Sequence, residues 1–267
     1  LSDVAVRRRW KRPPFIQNPL LRWGIWLGLG IYLALAFGTM EIDWNRAAEG
    51  VTRGQRFLAA FFPPDFTSRW DSIQDGILES LWMTITSTVI GIMLSVPVGL
   101  GAARNLSWRP VYLFCRGILA VSRTFPEIIL AIFFVKLFGF GPFAGFLALS
   151  VGTIGFYGKL LAEDIEDMDP VQAEAVKATG AGWFQWLNYA VQPQVMPRMI
   201  GLGIYRLDIN FRESAVVGIV GGGGIGATLL TSFDRYEFDS AAAILLVIIT
   251  IVMAMEYSSG YIRRWVQ

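Results

Sequence analysis

Apolar residues in this chain fall in long blocks, separated by short polar connections, rather than in the alternation of half-buried strands. The first block, about residues 23–40, opens with Trp23 and Trp26, residue types that suit a membrane interface. Residues 41–72 are mixed, but Phe57, Leu58, Phe61 and Phe62 form an apolar cluster stopped by Pro63-Pro64 and followed by Asp65. That cluster predicts a short amphipathic segment resting on the membrane surface. The next blocks cover about 73–103, 111–138 and 143–162. A kink or break is expected in the first of these near Pro97 and Gly99-Leu100-Gly101. Gly139-Phe140-Gly141-Pro142 forms a tight turn between the other two. A polar stretch, 163–196, leads to a block at about 195–220 that carries Arg206, Asp208, Arg212 and Glu213; the last block, about 241–257, is plainly apolar. Blocks of roughly 20 apolar residues are what a bilayer-crossing helix needs. The pattern predicts an all-α, polytopic membrane protein with about six spans.

Charge places the spans. Arg7-Arg8-Arg9-Trp10-Lys11-Arg12 precedes the first block, and Arg263-Arg264 follow the last. Under the positive-inside rule an even number of spans puts both termini in the cytoplasm. The basic run is read as a topology signal and not as a nucleic-acid site. No small-residue cleavage site follows the first block, unlike a removed signal peptide. The expected organisation is a basic N-terminus with the first span (1–50), a periplasmic amphipathic segment (51–72) and a core (73–267) whose cytoplasmic loop is 163–197. Composition agrees: 54% of residues are apolar and 16% charged, against about 25% charged in soluble domains. A single cysteine excludes an intrachain disulfide, and the absence of histidine removes the commonest zinc ligand and general base. No catalytic or metal site is expected.

The cytoplasmic loop holds the sharpest local pattern. Asp169-Pro170 reads as a helix N-cap followed by proline at the first helical position, and Gly180 as the helix end. Ala173, Ala175 and Ala178 are small, so another protein can approach closely. The run Glu174-Ala175-Val176-Lys177-Ala178-Thr179-Gly180, continuing to Gln192-Pro193, resembles the EAA loop of ABC importer permeases. Glu174, Ala175, Gly180 and Pro193 keep the family's spacing, whereas Val176, Ala190 and Gln192 depart from it. Phe61-Phe62-Pro63-Pro64-Asp65-Phe66, Gly141-Pro142-Phe143-Ala144-Gly145, Pro193-Gln194-Val195-Met196-Pro197 and the glycine run from Val217 to Gly226 look like phosphonate importer permeases, and the glycine run also like D-methionine permeases. This resemblance covers about residues 55–264.

The resemblance implies a type I, MetI-like permease fold in a bacterial inner membrane. It implies a homodimer, two ATPase subunits that carry ATP and magnesium, and a periplasmic or lipid-anchored binding protein delivering a phosphonate-type anion. Surrounding lipid completes the partners, and no nucleic acid is implied. Glu174, Ala175, Ala178, Gly180 and Pro193 would couple the chain to the ATPase. Phosphonate, phosphite and phosphate share their tetrahedral oxygens, so the sequence leaves these three open. An ion-coupled secondary transporter of a small anion is the alternative, and it leaves the coupling loop unexplained.

Ionisable residues inside spans are functional candidates, because each costs about 2.5–3.5 kcal/mol at a helix centre. Asp208 and Arg212, four apart, are expected to pair, as are Arg123 and Glu127 around Pro126. Arg206 and Glu213 are about two turns apart on another face, so Arg206 is expected to escape neutralisation within its own helix. Together with Gly221, Gly222, Gly223 and Gly224 these six residues are the candidates for a translocation path. The glycine run has no following Gly-Lys-Ser/Thr, so it is no ATP-binding loop. Either it packs spans closely or its N–H groups line an anion-friendly mouth.

Overall fold

The computed structural model describes residue 16, residues 18–40 and residues 43–266, with side chains as far as Ile262. The basic run from Arg7 to Arg12 and the side chains of Arg263 and Arg264 lie outside the described residues. The chain divides after Phe57 into two units. The first holds α1 (Pro19–Thr39) and most of α2 (Trp44–Ala59). Asn18 caps α1 by accepting the Leu20 N–H, and Pro19 takes the first helical position. α1 is apolar around nearly its whole circumference, the composition of a helix solvated by lipid. α2 is amphipathic, with Arg46–Asp43 and Arg53–Glu49 ion pairs. It begins at Trp44, so the boundary expected at residue 50 falls inside a helix.

The second unit contains α3 (Trp70–Ala102), α4 (Arg109–Thr124), α5 (Glu127–Phe138), α6 (Pro142–Glu166), α7 (Pro170–Ala178) and α8 (Trp183–Trp186). A π turn, Leu187–Val191, leads into α9 (Gln192–Val217). A second π turn, Gly218–Gly222, joins α9 to α10 (Gly224–Asp234), and α11 (Phe238–Val266) closes the chain. α1, α3, α6 and α11 are each long and apolar enough to cross a membrane; two bent pairs raise the number of spans to as many as six.

Two expectations about the spans change. α3 runs unbroken through Pro97 for 33 residues, about 50 Å. Neighbouring helices let a membrane helix tolerate an internal proline, and α6 packs along this part of α3. The third span is not one helix over 111–138 but two, α4 and α5, bent by 91°. Phe125 is extended because a following proline disfavours the helical region, and Pro126 then leads into α5. α9 and its π turn end at Gly222, close to the end expected near 220, and the chain then turns by 56° into α10. Gly221 and Gly223 adopt φ of 101° and 79°, a region that side chains avoid.

Close packing organises the centre. Ser87, Gly91, Ser95 and Gly99 recur at every fourth residue of α3, and the last three stand against α6. A Cβ on Gly91 would meet Thr153, and one on Gly99 would come within 3.0 Å of the Gly158 carbonyl. Small residues thus bring two long helices into backbone contact, the usual means of association where lipid supplies no hydrophobic drive. Cys115 of α4 is buried, with its sulfur against Gly101. Ser80 of α3, fully buried, accepts the Ile225 N–H of α10 at 2.9 Å. Ser80→Ala leaves that buried donor unpaired, and is expected to cost about 1–3 kcal/mol. Thermal unfolding in detergent measures it, and an unchanged midpoint would show that the bond contributes nothing.

Candidate functional site

Two carboxylates inside the spans converge on one side chain. Arg206, near the middle of α9, is only 3% exposed. Its Nη2 donates to Glu127 Oε1 at the start of α5 and to Glu213 Oε2 of its own helix, each at 3.3 Å. Its Nε donates to Thr153 Oγ1 of α6 at 3.1 Å, and its guanidinium carbon lies 5.3 Å from the Phe156 ring centroid. The expectation that Arg206 escapes its own helix is therefore corrected. Two turns separate it from Glu213, but both side chains are long enough to close the gap.

The Arg123–Glu127 pair also fails to form. A four-residue spacing brings side chains together only on a continuous helix, and here the chain bends between them. Glu127 instead begins α5 and turns to Arg206, while Arg123 stays exposed. The bend leaves a cavity of about 230 Å³ lined by Arg123, Glu127, Phe156 and Arg206, with Gly152 as part of its wall. A Cβ on Gly152 would come within 2.9 Å of Arg206 and 2.7 Å of Glu127, so only glycine leaves this room.

Beneath Arg206 lies a neutral polar layer that the sequence reading missed. Asn210 Nδ2 donates to Thr88 Oγ1 at 2.8 Å and to Thr153 Oγ1 at 3.0 Å. Each threonine passes its own proton down its helix, to the Thr84 and Leu149 carbonyls. The layer fixes α3, α6 and α9 at one level and holds Thr153 ready for Arg206. Asn210 and Thr153 are fully buried; a polar residue inside an apolar block was the available signal.

Asp208 and Arg212 pair as expected, with Asp208 buried and Arg212 at the surface of the chain. The glycine run is mostly interior. Gly222 packs on Val217 and Gly145, and Gly224 on Ser80. A Cβ on Gly223 would meet Glu79 Oε1 at 2.8 Å, so the run has a carboxylate beside it. The Gly221 carbonyl accepts the Gly141 N–H at 3.0 Å.

The connection between α6 and α9 presents α7 outward. Asp169 caps it by accepting the Val171 N–H at 2.9 Å, and Gly180, with φ of 80°, ends it. Only Ala173 of this helix is buried; Trp186 Nε1 donates to its carbonyl at 2.9 Å, and Lys177 lies over the Trp186 ring. Glu174, Ala175, Ala178 and Gly180 face away from the chain, and Pro193 opens α9 exposed. α7 thus rests on Trp186 and the Leu187–Val191 turn and keeps Ala175 and Ala178, two small residues, on its outer side.

Comparison with known proteins places the chain in a family. Residues 95–267 match the family model described as binding-protein-dependent transport system inner membrane component. The chain is 44% identical to the phosphate-import permease protein PhnE of Mycolicibacterium smegmatis, over 98% of this chain and 50% of that one. It is 37% identical to the phosphite transport system permease protein PtxC of Stutzerimonas stutzeri, over 98% and 97%. The chain therefore spans half the length of the first relative and nearly all of the second. Among solved structures, an inward-facing MetNI methionine ABC transporter chain superposes with a TM-score of 0.67 at 23% identity, over 75% of this chain and 99% of that one, which shows a shared fold. This chain belongs to the family of binding-protein-dependent transport system inner membrane components.

Proposed function

We propose that the chain is the permease subunit of an ATP-driven importer of phosphorus oxyanions, the class that covers phosphate, phosphite and phosphonate. It works as a homodimer with two ATPase subunits, which carry the ATP and magnesium, and with a binding protein on the outer side. Both termini lie in the cytoplasm, which puts α7 there too. The observation that carries this reading is α7: a capped, small-faced, outward helix held between two spanning helices. Docked in a partner's groove, it passes movement of that partner into α6 and α9. Names borne by the relatives supply the substrate class.

The cavity at the α4–α5 bend supports an oxyanion path without a tight site. Arg206 shares its Nη2 between two carboxylates at 3.3 Å, longer than the roughly 2.7–2.9 Å of a strong charge-assisted bond. An arriving oxyanion competes for that nitrogen, with Arg123 at the open side. Two carboxylates against one buried guanidinium keep the anion from settling deeply, as a path requires. An ion-coupled carrier would leave α7 without a role.

The test is assembly. Ala175→Trp adds bulk to the exposed face of α7. It is expected to abolish co-purification with the ATPase subunit of the same transporter and to leave the permease monodisperse. Undiminished ATPase recovery would overturn the docking role of α7.

A further inference from the structure

One side chain ties the start of α7 to α9. Gln194, in the first turn of α9, accepts the Asp169 N–H on Oε1 at 2.9 Å, across 25 residues of sequence. Its Nε2 donates to the Ala190 carbonyl in the Leu187–Val191 π turn, also at 2.9 Å. Only one orientation of the amide serves a donor and an acceptor together, so each bond fixes the other. Gln194 is half-buried, and Trp186 makes the other contact from this side, onto the Ala173 carbonyl.

Asp169 is the N-cap of α7, and Gln172 stands at the third helical position, where a glutamine commonly accepts the N-cap N–H of its own helix. α8 is closed in this local way: the Gly182 N–H donates to Gln185 Oε1 at 2.9 Å. In α7 the corresponding N–H goes to α9 instead, and Gln172 is left exposed. A local cap was within reach, so the long-range bond is not what forms the helix. What it adds is a mechanical tie. Through the chain, residues 167–169 join α7 closely to α6, whereas the longer stretch 179–191 separates its end from α9. Gln194 shortens that route, and Arg206 lies about 18 Å further along the same helix.

We infer that Gln194 is the residue through which α9 follows α7: a displacement of α7 passes from the Asp169 N–H to Gln194, and along α9 to Arg206. This rests on the proposed docking of an ATPase subunit at α7. Gln194 acts on the path through its helix and not on the anion, so it is a positioning residue. Without it α7 still docks and still pulls on α6 through the chain, but α9 lags behind. ATP is then spent with less transport per cycle. The Arg198–Asp164 ion pair, at 2.7 Å, joins α9 to α6 in the same region and leaves α7 out, which makes it the control.

The test uses the whole transporter in vesicles, with ATPase subunit and binding protein. It measures the ADP formed per labelled phosphate, phosphite or methylphosphonate taken up. Gln194→Met keeps the length of the side chain and loses both bonds, while Gln172 is free to cap α7. The ADP formed per anion is expected to rise about fivefold, the low end of usual coupling between sites, with co-purification of the ATPase subunit unchanged. Arg198→Gln is expected to lower the melting temperature and leave the ratio as it was. An equal rise in Arg198→Gln would make the effect a general loosening of the junction and overturn the inference. Hydrogen exchange on the unaltered transporter tests the tie even if Gln194→Met does not fold: the Asp169 amide should be protected, and rapid exchange there would contradict it. If Ala175→Trp abolishes ATPase recovery while Gln194→Met keeps a native ratio, the tie falls and the docking stands. Undiminished recovery with Ala175→Trp removes the docking reading itself.

Discussion

Arg206→Ala is expected to cut oxyanion uptake at least about tenfold, ~1.4 kcal/mol in the rate-limiting step, in vesicles reconstituted with the ATPase and binding protein. The change removes the buried cation of the cavity at the α4–α5 bend and leaves Glu127 and Glu213 without it. Leaving one partner of a buried pair uncompensated costs about 3–5 kcal/mol, so a lower melting temperature should accompany the loss. Two further variants separate transport from stability. Arg206→Lys keeps the charge but loses the planar donor set that reaches Thr153, Glu127 and Glu213 together, and an intermediate rate is expected. Glu127→Gln frees Nη2 from one competitor. The anion should then be held longer, with a lower KM and a lower maximal rate. Unchanged transport in Arg206→Ala would remove the residue from the path.

The largest loss of stability is expected at Gly226. A Cβ there would fall on the Ala215 carbonyl oxygen and within 2.9 Å of the Gly218 Cα. The obstacle is backbone on both sides, so no side chain can rotate out of the way, and α10 would have to part from α9. Overpacking of this kind costs about 1–3 kcal/mol even where side chains can yield. Gly226→Ala should therefore lower the thermal midpoint in detergent by roughly 10 °C or prevent folding. Gly117, inside α4, is the control: nothing lies within 4 Å of its Cβ position. Gly117→Ala should be neutral or slightly stabilising, because glycine in a helix interior costs about 0.5–1 kcal/mol relative to alanine. Equal melting of the two variants would contradict the close approach at Gly226.

Long apolar blocks made most spanning helices legible, because bilayer thickness fixes their length whatever they pack against. Bends were harder to read. Pro126 in a block of suitable hydropathy reads as a tolerated kink, yet with Phe125 extended before it the chain turns through 91°. Pro97, in a similar block, leaves α3 unbroken. The difference lies in the neighbours and not in the proline. α7 was legible almost to the residue, since Asp169, Pro170 and Gly180 each act through local backbone geometry. The Arg206 cluster was half legible. Spacing rules assign partners along one continuous helix, so they paired Arg123 with Glu127 and left Arg206 free. Thr88, Thr153 and Asn210 gave no charge signal, and Asp164 lay in a stretch read as loop until α6 extended to Glu166 and buried it.

Cys115 gives this permease a practical property. It is the only thiol in 267 residues, and it is sealed between α4 and the close-packed end of α3 at Gly101. Thiol reagents added from either side of the membrane meet no accessible cysteine in the folded chain beyond those placed there deliberately. A cysteine introduced on α7 or at the α4–α5 bend can therefore be labelled or cross-linked without first removing the native one.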